Sequence, residues 1–231
     1  PQGFRLRARL AIRGRAGAPR VGMFQLGTHR VVAIPDCRVH HPLVNRVAAV
    51  VRRALIDEGV PIYVDGLHRG VARYLQVVVE RSSGRAQVVL VANSAGPAPL
   101  ERCFGRIRDE LGDDLHSLHF NAQCEPTNAI LGPGFTRWCG EPAVVERFDG
   151  PAVHYPPGAF GQSNLEVAGR IVGHVRALVP PGSRVTEFYA GVGAIGLSIL
   201  ERTSTLRLNE RGAASLEGLA LGLDGLAPEQ R

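Results

Sequence analysis

The chain of 231 residues is long enough for one or two domains, and it has no run of about 18 apolar residues, which excludes a transmembrane helix. Four scattered cysteines exclude a disulfide scaffold and point to a reducing, cytoplasmic setting. The formal charge is +6, and all 27 basic residues are Arg. A GC-rich genome accounts for Arg in place of Lys, but not for its placement. Residues 1–53 hold 11 Arg and one acid, Asp36; residues 54–231 hold 16 Arg and 20 acids. Charge gathered at one end points to a polyanionic partner, and nucleic acid is the commonest.

The N-terminal "PQGFRLRARL" has no apolar signal core and no initiator Met, and reads as a chain entered mid-sequence. "FRLRARLAIR" alternates, with Arg5, Arg7 and Arg9 on one face and Leu6, Ala8, Leu10 and Ile12 on the other. Two readings stand for the Arg row: the solvated face of a half-buried strand, or a ribbon facing phosphates. "VGMFQLG" and "HRVVAI" are short strands. "HPLVNRVAAVVRRALIDEG" has helical spacing, stopped by Gly59. "GVARYLQVVVERSSGRAQVVLVANS" is a hairpin, "APLERCFGRIRDELGDD" a helix and "LHSLHFNAQ" a strand. "AVVERFDGPAVHY" is a second hairpin, turned at Asp149-Gly150. Residues 1–159 therefore read as an α+β domain.

The pattern changes after "YPPGAFGQSN". Asn164 caps a helix whose Leu165, Ala168, Ile171, Val172, Val175 and Leu178 share a face. "RVTEFYAG" is a strand, "VGAIGLSIL" a helix start, "TLRLNE" a strand and "GAASLEGLALGL" a helix. This βαβα order, over residues 160–231, is the start of a Rossmann-like parallel sheet. Gly191-Val192-Gly193-Ala194-Ile195-Gly196 fits G-x-G-x-x-G, a weak signal shared by two cofactor classes. A dinucleotide places pyrophosphate on the turn. S-adenosylmethionine has no phosphate, and its cationic groups favour a carboxylate. Glu187 stands before the glycines, where an acid suits the methyl donor better than a pyrophosphate. Its alternative reading is an exposed strand-end residue. Glu210 ends the next strand, where an acid accepts from ribose hydroxyls in either class.

Four stretches together resemble the RNA (uracil-5-)-methyltransferases, most of all the 23S ribosomal RNA type. "FRLRARL" resembles the family's Arg-rich strand in a central RNA-binding domain. "VVAIPDCRVHHPLVNRV" resembles the segment bearing the last cysteine of a 4Fe–4S cluster. "GAFGQSN" resembles the F-x-Q-x-N motif, and "VTEFYAGVGAIGLSIL" the methyl-donor motif D-L-[YF]-C-G-x-G-x-[FI]. The resemblance implies an α+β RNA-binding domain, followed by the start of a class I methyltransferase domain that is incomplete at its C-terminus. It also implies donor contacts from Gln162, Tyr189, Gly191, Gly193 and Ala194, with Glu187 beside the donor and Glu210 on its ribose. Arg5, Arg7 and Arg9 are implied to meet RNA, and Cys37 to be one of four cluster thiolates.

Departures accompany the match. Glu187 replaces an Asp, Ala190 stands where Cys is common, and Ala194 where a polar residue is common. The family's reaction needs a Cys thiolate to add to uracil C6 so that C5 accepts the methyl group, and a base to remove the C5 proton. In the family that Cys, the base and a further donor-binding Asp follow the donor motif. None of Cys37, Cys103, Cys124 and Cys139 does. The implied chain is therefore shortened at both ends and inactive alone. Cys103, Cys124 and Cys139 read as small buried hydrophobes. A zinc site from Cys37, His40 and His41 has poor spacing. A non-catalytic RNA-binding remnant and a dinucleotide-dependent oxidoreductase are the competing readings.

Overall fold

The computed structural model describes residues 2–227, and the chain divides into two compact units, residues 1–142 and 143–231. The hairpin over 144–155 belongs to the second unit, so this division falls earlier than the boundary between residues 159 and 160 expected from the sequence. Among the described residues no helix is long and apolar enough to cross a membrane.

The first unit is built on a seven-stranded mixed sheet of β1 (Arg7–Arg15), β2 (Ala18–Phe24), β3 (Val31–Ala33), β4 (Ala72–Val79), β5 (Ala86–Ala92), β6 (Leu115–Ala122) and β7 (Phe135–Gly140). Their order in the sheet is β3-β2-β1-β4-β5-β6-β7. All neighbours are antiparallel except β5 and β6, which are joined by the crossover helix α2 (Glu101–Leu111). Helix α1 (Pro42–Asp57) begins where the His41 ring accepts from the Leu43 amide, with Pro42 in the first turn. Ala8, Leu10 and Ile12 of β1 join Leu75 and Val77 of β4 in a core with Val47, Val51 and Leu55 of α1 and Phe104 and Ile107 of α2. The period-2 and period-3.6 patterns of the sequence meet on this face.

The opposite sheet face buries polar and charged side chains, and each needs a partner. Arg73, 1% exposed, sits 4.2 Å over the Tyr63 ring. It donates to the carbonyls of Gln123, Glu125 and Thr127, which pins the loop that follows β6. The same loop is held by Asn121, which donates to Gly132 and Gly134 and accepts from the Gly132 amide.

The second unit contains a hairpin of β8 (Val144–Arg147) and β9 (Ala152–Tyr155), helix α3 (Leu165–Leu178), the parallel pair β10 (Ser183–Phe188) and β11 (Thr203–Asn209), and helix α4 (Ala213–Asp224). The expected hairpin turn is present, with Asp149 left-handed at φ 55°. Asn164 caps α3 by accepting from the Val167 amide. Of the α3 face, Leu165, Ala168 and Val172 are buried, whereas Ile171 and Leu178 are exposed. "VGAIGLSIL" does not open an α-helix: turns lead into a 3-10 helix over Leu197–Arg202. The link from Phe188 to Thr203 spends its first residues on the glycine turn. The bonds that follow are mixed: the Leu197 amide donates to Gly193, and the Ile199 amide is shared between the Ile195 and Gly196 carbonyls.

Replacing Arg73 with Met removes a cation that holds three carbonyls, and should lower unfolding free energy by roughly 2–4 kcal/mol. The check is a lower urea midpoint with faster amide exchange over residues 123–134. An unchanged midpoint would contradict the anchoring role.

Candidate functional site

The site lies within the second unit. At the C-terminal end of β10 the backbone reverses in three left-handed steps, Tyr189 at φ 59°, Gly191 at φ 59° and Gly193 at φ 82°. Gly191 and Gly193 bear this conformation at no steric cost. Tyr189 does not, at about 1–2 kcal/mol for an L side chain, and its ring projects 91% exposed. A residue strained this way persists where its surroundings fix it. The Ala190 amide donates to Asn209 of β11, and the Gly193 amide closes back on Ala190. A Cβ on Gly193 would lie 2.7 Å from Leu219 Cδ1 of α4, and one on Gly196 only 2.6 Å from Glu187 Oε2. The first and second glycines thus permit the turn, and the third permits close packing over Glu187.

Glu210 holds the turn from the end of β11. Its Oε2 accepts from the Gly191 amide at 2.8 Å, and Oε1 accepts from the Arg211 and Gly212 amides at 2.7 Å each. These three donors pull its pKa below the usual carboxylate value. A carboxylate offers about four lone-pair sites, so one acceptor position remains.

Beside the turn is a cavity of about 260 Å³. Its walls bring together Gln162, Glu187, Tyr189, Gly191 and Ala194 of the sequence-derived set. Gly193 and Glu210 do not line it; they shape the turn that does. Phe148, Tyr155 and Phe160 form its apolar side; Phe160 opens the F-x-Q-x-N match, whereas Phe148 and Tyr155 were not singled out from sequence, because nothing local marks a ring on a hairpin as facing a cavity. Glu187 Oε2 is buried without a hydrogen-bond partner. Burial pushes its carboxyl pKa up, and the nearby Gly196 amide only partly offsets this. An unsatisfied carboxylate on a cavity wall attracts a cation or a hydrogen-bond donor and repels a phosphate.

No family model matches the chain. The chain is 34% identical over 221 residues to an uncharacterized RNA methyltransferase of Protochlamydia amoebophila, covering 93% of this chain and 58% of that protein. The chain is thus similar to RNA methyltransferases over nearly its whole length. An uncharacterized RNA methyltransferase of Enterococcus faecalis is 28% identical over 209 residues, covering 90% of this chain and 46% of its own length. The chain thus spans about half the length of the curated relatives it matches. The fold is shared with the Pyrococcus abyssi tRNA (uracil-54, C5)-methyltransferase, solved with S-adenosyl-L-homocysteine. That likeness has a TM-score of 0.77 and 18% identity, and covers 96% of this chain and 53% of that one.

The remaining sequence-derived residues lie in the first unit. Arg5 is exposed, and its backbone bonds with that of Val39 and His41. Arg9 donates from Nε to Gln76 at 2.8 Å. Arg7 is half-buried on the same strand face. Arg13 continues the alternation but is not a phosphate candidate: it is buried, paired with Asp65 at 2.6 Å, and stacked 4.8 Å over Tyr74. The Cys37 backbone N–H and C=O both bond with the Asn45 side chain, which also meets the His40 ring, while the His41 ring caps α1. No group of three or more Cys, His, Asp or Glu among the described residues is placed to hold a metal. A 4Fe–4S cluster takes four thiolates, and the residues present around Cys37 do not supply them. Cys103 is buried with its thiol pushed up to about 12, and the Cys139 thiol is also raised by burial.

Glu187 gives the unit a defined pH dependence. Its folded pKa exceeds the ordinary 4.5, so between those values the folded state binds more protons and stability falls as pH rises. Glu187→Gln removes that loss. Its melting temperature should exceed the parent's at about pH 7 and match it below about pH 4. Equal melting temperatures at both would contradict the buried, unsatisfied carboxylate.

Proposed function

We propose that this chain carries the methyl-donor cradle and an RNA-contacting unit of an S-adenosylmethionine-dependent enzyme that forms 5-methyluridine in RNA, with 23S ribosomal RNA as substrate. The observation that carries the reading is the convergence of Gln162, Glu187, Tyr189, Gly191 and Ala194 on one cavity whose acid is unsatisfied. The residues fit the donor. Glu187 suits its positive charge, Glu210 has one acceptor position for a ribose hydroxyl, and the aromatic wall suits an adenine face. When bound, the donor supplies the methyl group for uracil C5. The chain binds and orients it, and Phe148 and Tyr155 keep water from that side. The solved relative that holds S-adenosyl-L-homocysteine is a uracil-C5 enzyme, and this supports the base and the position.

The unsatisfied carboxylate also weighs against the dinucleotide reading, since a pyrophosphate would meet Glu187 with like charge. Methyl transfer to C5 needs a reactive thiolate, and residues 143–231, which carry the donor cavity, contain no cysteine. We infer that these 231 residues bind donor and RNA without transferring the methyl group. The cluster reading rests on Cys37 alone, and no step is routed through it. In the first unit, Arg5, Arg7 and Arg9 are proposed to meet RNA phosphates, with Gln76 fixing the Arg9 fork.

In isothermal titration calorimetry S-adenosyl-L-homocysteine should bind and NADH should not, and Glu187→Gln should weaken binding about 10–100-fold. NADH binding without S-adenosyl-L-homocysteine binding would reverse the assignment. Replacing Arg5, Arg7 and Arg9 together by Gln should weaken RNA binding and flatten its salt dependence by about one unit per lost phosphate contact. An unchanged slope would return the row to a solvated face.

A further inference from the structure

Two turns of the first unit share a root. Arg13 donates from Nε and Nη2 to both Asp65 oxygens, and its guanidinium lies 5.3 Å over the Phe24 ring. Phe24 begins the turn between β2 and β3, and Asp65 opens a short 3-10 turn ahead of β4. His29 packs edge-on against Phe24, and Tyr63 bonds the His68 ring at 2.6 Å, so both turns are tied to their own bases. His68 is left-handed at φ 48°, a conformation that contact helps to hold.

The turns present apolar tips to solvent. Leu26 is 98% exposed, Leu67 67% and Met23 54%. A scattered exposed Leu needs no explanation, but Leu26 and Leu67 sit on turns rooted on the same Arg13, with Met23 at the adjoining end of β2, and exposed apolar side chains on one shared root mark an interaction site. Its rim is basic. Arg30 and Arg69 are exposed, and neither is ion-paired among the described residues. The acid nearest at hand, Asp65, is already neutralised by Arg13. Residues 1–35 contain no acid at all. An apolar tip inside a field of uncompensated guanidiniums suits a partner with apolar faces on a polyanionic backbone, which describes unpaired RNA bases.

We infer that the Met23–Arg30 and Asp65–Arg69 segments form an RNA-docking surface separate from the Arg5–Arg7–Arg9 row. Leu26, Leu67 and Met23 meet unstacked bases, and Arg30 and Arg69 meet the flanking phosphates. The inference rests on the RNA reading above and adds a place on the protein where unpaired bases are held. Arg13 is the positioning residue: it touches neither tip, but fixes both roots.

The test is fluorescence anisotropy of the full chain with a uridine-containing RNA stem–loop, between about 50 and 200 mM salt. Arg30→Gln with Arg69→Gln should weaken binding about 10-fold and make the salt slope shallower by about 1–2. Met23→Ser with Leu26→Ser and Leu67→Ser removes no charge, and should weaken binding about 5-fold or more at an unchanged slope. Parent-like affinity in both variants overturns the inference. So does loss of self-association or protein binding in the apolar variant at unchanged RNA affinity, which would make the patch a protein interface. All five side chains are exposed, and thermal melts of both variants should match the parent. Calorimetry with S-adenosyl-L-homocysteine separates the two proposals. RNA docking without donor binding would leave this surface standing and remove the donor reading, whereas donor binding without an effect of these variants would remove only the surface.

Discussion

The second unit depends on one carboxylate. Glu210 follows β11 directly and reaches sideways to the Gly191 amide, while its other oxygen accepts from the amides just ahead of α4. Parallel strands cannot be linked by a tight hairpin, so the ends of β10 and β11 need a cross-brace of another kind. Here the brace is a charge-assisted set of backbone bonds, the stronger type of hydrogen bond. It fixes the left-handed path from Tyr189 to Gly193 and so the cavity wall. It also leaves one acceptor position facing outward, which lets a structural residue serve a ligand as well.

Glu187 has the opposite status. It lies under the same turn, closely covered by Gly196, and burial raises its pKa while the Gly196 amide only partly offsets this. Desolvation without compensation is costly, and such costs concentrate where function requires them. The pair therefore divides the work, with Glu210 stabilising the turn and Glu187 holding unspent attraction for a positively charged ligand. The first unit handles charge differently. Arg13 and Arg73 are taken out of solvent and used as internal fasteners by Asp65, backbone carbonyls and aromatic rings, while Arg30 and Arg69 remain outside. An Arg-rich sequence thus yields both scaffold and surface, and burial decides which.

Much of this was legible beforehand, because the signals were local. The alternation of β1, the Asn164 cap, the Asp149-Gly150 hairpin and the strand–glycine–strand order each follow from residues a few positions apart. The gathering of Gln162 with the glycine turn was legible through the family resemblance rather than through any period in the sequence. What escaped was nonlocal. β7 is an edge strand with no fully buried side chain, so it lacks apolar alternation. The burial of Arg13 depends on its Asp65 partner, far along the chain. Arg73 sits in a β-branched run that gives no hint of a buried cation. The aromatic wall from Phe148 and Tyr155 required knowing where the 144–155 hairpin lies beside the turn.

The central claim is that the turn from Tyr189 to Gly196, with Gln162 and Glu187, cradles a methyl donor. Amide hydrogen exchange of the chain with and without S-adenosyl-L-homocysteine tests it directly. Protection should appear at Gly161–Gln162, across Ala190–Ile195 and at Arg211–Gly212, and be lost in Glu187→Gln. No protection there, or protection confined to the first unit, would contradict it.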